Sequence, residues 1–106
     1  MSVLEETLAE EYDRFLRIAA AIRAELERLP KGSLRKRNLK GCTYYYLQYR
    51  DGGHVRSDYV PRGKVEETER AIARRRELAA ALKERERSIR QIERALGKGF
   101  LNERAK

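Results

Sequence analysis

The chain predicts an α+β fold: two long, antiparallel, coiled-coil-like helices flanking a small two- or three-stranded antiparallel β-sheet. Three observations predict it. Apolar residues recur four and three apart near both ends, aromatic and β-branched residues crowd the middle, and glycines break that middle where turns would fall. At 106 residues the expectation is a single domain, residues 1–106. Two helices and a small sheet enclose a thin core, so self-association is expected to help hold it.

The first helix is expected over residues 3–29. Ser2 followed by Glu5 is a capping-box signature, and Glu6, Glu10 and Glu11 suit the positive end of the helix. Leu8, Tyr12, Phe15, Ala19, Ile22, Leu26 and Leu29 form a heptad seam, which Leu16 and Ile18 widen. Pro30 and Gly32 end the helix.

The sheet is expected over residues 33–61. Thr43–Tyr49 and Val55–Val60 are the strand-like runs, with Asp51-Gly52-Gly53 as the turn between them. A three-residue loop with Gly53 left-handed would pair Arg50 with His54. It would set Tyr45, Leu47 and Tyr49 beside Val55, Ser57 and Tyr59, leaving Tyr44, Tyr46 and Gln48 opposite Val60, Asp58 and Arg56. A two-residue turn would shift the register by one and exchange the faces of one strand. Ser33–Leu39, joined through Lys40-Gly41, reads as a basic edge strand, because Arg35, Lys36 and Arg37 do not suit a central one.

This segment also carries a resemblance. Leu29, Pro30, Gly32 and Ser33 lead into Gly41, Tyr44–Leu47, Tyr49, Arg50, Gly52, Gly53, Tyr59 and Val60. The pattern resembles the core of a family of small uncharacterised bacterial and archaeal proteins, in which such a hairpin lies between charged helices. The hairpin also looks like ones in the amino-terminal regions of some transposases and integrases. The resemblance spans roughly a third of the chain. It implies a self-contained module of prokaryotes or their mobile elements, and no particular activity.

The second helix is expected over residues 65–96, with Glu66, Glu67 and Glu69 in its first turn and Gly97-Lys98-Gly99 as its stop. Leu78, Leu82, Ile89, Ile92 and Leu96 make a second seam in which Arg85 takes a core position. At about 48 Å it would outrun the first helix. Its far end, Ile89, Ile92 and Leu96, would then be free to pair with a second copy in a homodimer. Residues 97–106 are expected to form a tail in which Phe100 and Leu101 either clip it back or stand exposed, with the rest frayed.

Charge points to function. The formal net charge is +8. Residues 1–29 are net acidic, whereas residues 30–64 hold nine Lys or Arg against Asp51 and Asp58. On the second helix Arg76, Lys83, Arg87, Arg90, Arg94 and Lys98 fall within roughly 40° of one line, opposite the apolar seam. Glutamates flank that line. Cations interleaved with tyrosines suit nucleic acid, the cations for phosphates and the rings for bases. The expected contacts are Arg35, Lys36, Arg37, Tyr44, Tyr46, Arg50, His54 and Arg56 on the sheet, and Lys83, Arg87, Arg90 and Arg94 on the helix. DNA is favoured over RNA, and the hairpin tip could enter a major groove. Tyr45, Tyr49 and Tyr59 are expected to pack the sheet against the helices instead.

Catalysis is not legible. His54 is the only histidine, which removes histidine triads and paired histidine ligands. Cys42 has no cysteine partner and is expected to be a small buried thiol. Lys31-Gly32-Ser33 lacks the glycine spacing of a phosphate loop. The reading is therefore not an enzyme, with no cofactor and no metal. The second reading is an oligomerisation or adaptor protein whose basic surface meets an acidic protein partner. One free cysteine, no signal sequence and no apolar run fit the cytoplasm and no membrane.

Overall fold

A computed structural model describes residues 2–104, with side chains described to Leu101. The elements run α1 (Val3–Arg28), β1 (Ser33–Leu39), β2 (Cys42–Asp51), β3 (His54–Val60), α2 (Val65–Leu96) and α3 (Lys98–Arg104), with a 3₁₀ turn, Arg62–Lys64, before α2. The class is α+β, as the sequence predicts. The short helix α3 replaces the expected frayed tail: Gly97, at φ 84°, breaks the α2 helix, and the chain then turns helical again. The last two tail residues, Ala105 and Lys106, lie outside the described residues. No helix among the described residues is long and apolar enough to cross a membrane.

The chain divides into two compact units. One combines residues 1–25 with 78–106, and the other is residues 26–77. In the first, the heptad seams meet. Ala9, Ala19, Leu78, Ile89 and Ile92 are buried, and Leu8, Phe15, Ile18, Ile22, Leu82 and Leu96 are half-buried beside them. The Tyr12 hydroxyl donates to Glu93 at 3.1 Å, which sets α1 antiparallel to α2. Arg85, in its core position, lays its guanidinium 4.4 Å from the centre of the Phe15 ring. Its charge is thereby held against a π-face instead of in open solvent. At the start of α1 the Glu5 amide donates to the Ser2 hydroxyl at 3.2 Å, capping the helix.

The expected dimer seam is corrected here. Ile89 and Ile92 are buried within the chain, at 8% and 9% exposure. The surplus length of α2 lies at its beginning. In the second unit Arg75 Nη1 donates to the Leu26 and Leu29 carbonyls at 2.5 and 3.4 Å. Both carbonyls lie at the end of the helix, where the Leu26 carbonyl also accepts from the Leu29 N–H at 3.3 Å, so Arg75 caps α1. Residues 65–74 of α2 therefore run past the end of α1, and the far end of α2 keeps α1 beside it.

The sheet fills the rest of the second unit, in the order β1-β2-β3, with every pairing antiparallel. β1 is the basic edge strand expected, and β2 is central. Leu39 pairs with Cys42 across Lys40-Gly41, and Asp51 pairs with His54 across Gly52-Gly53. Both loops hold two residues of positive φ: 51° and 80° in the first, 57° and 91° in the second. That is the type I′ geometry, whose twist matches the flanking strands. The three-residue loop is thus overturned, and Arg50 pairs with Val55 instead of His54.

Candidate functional site

The register decides which side chains share a face. On one side of the sheet stand Arg35, Arg37 and Leu39 from β1, Cys42, Tyr44, Tyr46, Gln48 and Arg50 from β2, and Val55, Ser57 and Tyr59 from β3. On the other stand Leu34 and Lys36, then Tyr45, Leu47, Tyr49 and Asp51, then His54, Arg56, Asp58 and Val60. Both acids of the strands fall on the second face. The first has three arginines and no carboxylate, which makes it the basic face of the sheet.

The apolar side chains divide in the same way. Val60 is buried, and Leu34, Tyr45, Leu47 and Tyr49 are half-buried. Leu34 also lines a groove with Ile72 and Ala73 of α2. These five belong to the face opposite the basic one. The large apolar or aromatic residues left exposed in the strands are Leu39 (49%), Tyr44 (36%), Val55 (59%) and Tyr59 (57%). All four lie on the basic face. An antiparallel sheet packed on one side and wet on the other has polar groups on its outer face by default. Here the outer face is aromatic and cationic.

Three tyrosines form its centre. The rings of Tyr44 and Tyr59 lie 6.4 Å apart, and those of Tyr46 and Tyr59 lie 5.9 Å apart in an edge-to-face contact. Arg37 places its guanidinium 6.0 Å from the Tyr46 ring, and Arg35 Nε donates to Gln48 Oε1 at 3.2 Å. Shallow grooves border the cluster. One of about 270 Å³ lies among Arg35, Lys36, Arg37, Tyr46, Gln48 and Ser57. Another of about 500 Å³ lies among Leu39, Lys40, Cys42, Tyr44 and Tyr46.

On the opposite face the charges answer one another. Arg56 Nε pairs with Asp51 at 3.0 Å, and the Tyr49 hydroxyl donates to Asp58 at 2.9 Å. That hydrogen bond, aided by partial desolvation and the Asp58 charge, raises the Tyr49 phenol above the ordinary tyrosine value. Lys36 lies 5.9 Å from the Tyr45 ring centre. His54 is exposed beside the turn.

Of the residues expected to act together, the sheet gathers Arg35, Arg37, Tyr44, Tyr46 and Arg50 on one face. It puts Lys36 on the other by strand alternation, and His54 and Arg56 there because the two-residue turn exchanges the faces of β3. The same exchange brings Tyr59 out to the tyrosine cluster, away from the packing role expected of it. Cys42 is exposed on the basic face and not buried. On α2, Arg76, Lys83, Arg87, Arg90 and Arg94 are all exposed, and Arg87 is paired with Glu84 at 3.0 Å. Lys98 lies beyond the break at Gly97 and is part of α3. Lys83, Arg87, Arg90 and Arg94 belong to the helical unit, and the basic face belongs to the other. Among the described residues no group of three or more His, Cys, Asp or Glu side chains is gathered.

Fold and face together define a small basic α+β protein with an open aromatic sheet surface. The chain belongs to the family described as a domain of unknown function, DUF6788, whose profile matches residues 3–71. No curated protein and no solved structure matches it. The matched segment takes in α1, the whole sheet and the first residues of α2. The sheet therefore lies within the matched segment, and Lys83, Arg87, Arg90 and Arg94 fall outside it.

Proposed function

We propose that this protein is a nucleic-acid-binding module that acts by binding, without catalysis. The observation that carries the reading is the sorting of charge across the sheet. Arg35, Arg37 and Arg50 share a face that bears no acid, while Asp51 and Asp58 are turned away and engaged by Arg56 and Tyr49. A solvated surface with no partner to meet gains nothing from such sorting. A polyanion gains from it directly, because each arginine can replace a counterion on a phosphate. The exposed cations of α2 supply a further phosphate-binding surface on the other unit. A cytoplasmic setting fits the exposed thiol of Cys42, which a reducing compartment keeps free.

In the second reading, an oligomerisation or adaptor protein, the same basic surface would meet an acidic protein partner. Oligomerisation would need apolar seams left open for a second chain. Ile89 and Ile92 are buried within the chain, which weakens the oligomerisation half of that reading.

A salt titration tests the proposal. Binding of labelled DNA and RNA should weaken linearly on a log–log plot, with a slope near −0.9 per phosphate neutralised on duplex DNA and about −0.7 on single strands. Replacing Arg35, Arg37 and Arg50 together by Gln should weaken binding to every sequence alike. The slope should flatten by about one for each arginine that had held a phosphate. Absence of binding to any nucleic acid at low salt would overturn the proposal.

A further inference from the structure

Resting on that reading, we infer that the basic face is built for single strands: bases stack on Tyr44, Tyr46 and Tyr59 while Arg35 and Arg37 hold the backbone beside them. Three features of the face carry the inference.

The first is access. Tyr59 and Tyr44 stand in the open, at 57% and 36% exposure, although no large side chain among the described residues is fully buried. Leaving aromatic rings in water costs apolar burial that a thin core could have used. An exposed ring recovers that cost when a base covers it. In a duplex the base faces are already covered by their neighbours, so only unpaired bases can do so.

The second is shape. Strands about 4.8 Å apart set the outer strands of this sheet about 10 Å from one another before side chains are added. A major groove about 12 Å wide admits a two-stranded ribbon, which is narrower than this sheet. Tyr46 and Tyr59 lie where all three strands are paired, since Tyr46 has Arg35 on one side and Tyr59 on the other; Tyr44 pairs with Arg37 alone. The sheet narrows to two strands at both ends, past the pairing of Tyr45 with Val60 and, at the other tip, past that of Ser33 with Gln48. There Arg56 is engaged by Asp51.

The third is spacing. Bases stacked along one strand rise about 3.4 Å each. Ring centres 5.9 and 6.4 Å apart, tilted by 67° and 56°, do not continue such a stack. They suit bases splayed from an extended strand and taken up separately. The grooves on either side of the cluster, one lined by Arg35 and Arg37 and one by Leu39 and Tyr44, leave room for sugar and phosphate.

The test compares labelled oligothymidylate and oligouridylate of about 12 nucleotides with a mixed duplex of equal length at low salt. Single strands should bind at least about tenfold more tightly than the duplex, and the DNA and RNA arms distinguish the two sources of the same chemistry. Tyr59→Ala and Tyr44→Ala should each weaken single-strand binding roughly 5- to 100-fold, whereas Tyr59→Phe, which keeps the ring, should stay near the parent. The chain has no tryptophan, so its tyrosine fluorescence is readable, and single strands should quench it. That measurement on the unaltered protein needs no variant to fold. Equal binding of duplex and single strands, or binding without quenching, would overturn the inference and leave the nucleic-acid reading standing. No binding in any arm would overturn both.

Discussion

Gly32 lacks a side chain for a reason that lies on another strand. A Cβ built there would sit 2.1 Å from the carbonyl oxygen of Gln48 and 2.9 Å from the Tyr49 Cβ, and the residue holds φ at 107°. The obstacle is backbone, which cannot swing aside as a flexible side chain would. Gly32→Ala should therefore lower stability by more than about 2 kcal/mol, adding strain at positive φ to the clash. Gly99→Ala, where nothing lies within 4 Å of the added carbon, should cost little. Urea midpoints of the two variants check this, and equal midpoints would mean that Gly32 is not pressed against β2. The sequence marks Gly32 only as a helix stop, since the strand that crowds it is remote in the chain. Arg75 is hidden for the same reason. As one of many arginines on α2 it carries no local sign that its guanidinium reaches the carbonyls ending α1.

At the scale of elements, α1, α2 and the three strands are legible almost to the residue. Four-three spacing and β-branched or aromatic runs are local signals, and packing here agrees with them. The register is not legible. Asp51-Gly52-Gly53 is compatible with a loop of two or three residues, and the choice moves every side chain of β3 to the other face. The structure selects two, making Asp51 a strand residue that reaches Arg56. The basic face follows from that choice, so its cations can be read in the sequence while Tyr59 cannot. The turn gives a direct check. Gly53, at φ 91° with open space around it, should lose about 1 kcal/mol or more on replacement by Ala, from backbone strain alone. Gly52, at φ 57°, should accept Asn at no cost, because Asn-Gly is the favoured type I′ pair. A three-residue loop would not need Gly52 at all, and Gly52→Ala would then be harmless. Thermal melts of the three variants separate the two turns.

Across the whole molecule the question is what a thin core leaves for a second copy to do. Among the described residues the buried apolar ones are Ala9, Ala19, Val60, Ile72, Leu78, Ile89 and Ile92, and none is a large side chain fully removed from water. Cores of that size are often completed by association. The surface expected to do so here is already spent, however, because α1 lies along the far end of α2. Tyr12 fixes that arrangement through Glu93, and Arg85 does so over Phe15. Ile92→Ala should then cost about 2–4 kcal/mol within one chain. The melting temperature of the parent should not change with protein concentration, since only association that favours the folded state makes it do so. Melts across roughly a hundredfold range of concentration test this. A midpoint that climbs with concentration in the parent, and ceases to climb in Ile92→Ala, would return Ile89, Ile92 and Leu96 to an interface between copies. A midpoint that climbs in both would put the contact elsewhere, among the large apolar side chains left exposed, Val3, Leu4 and Leu16 of α1 and Leu39, Tyr44, Val55 and Tyr59 of the sheet.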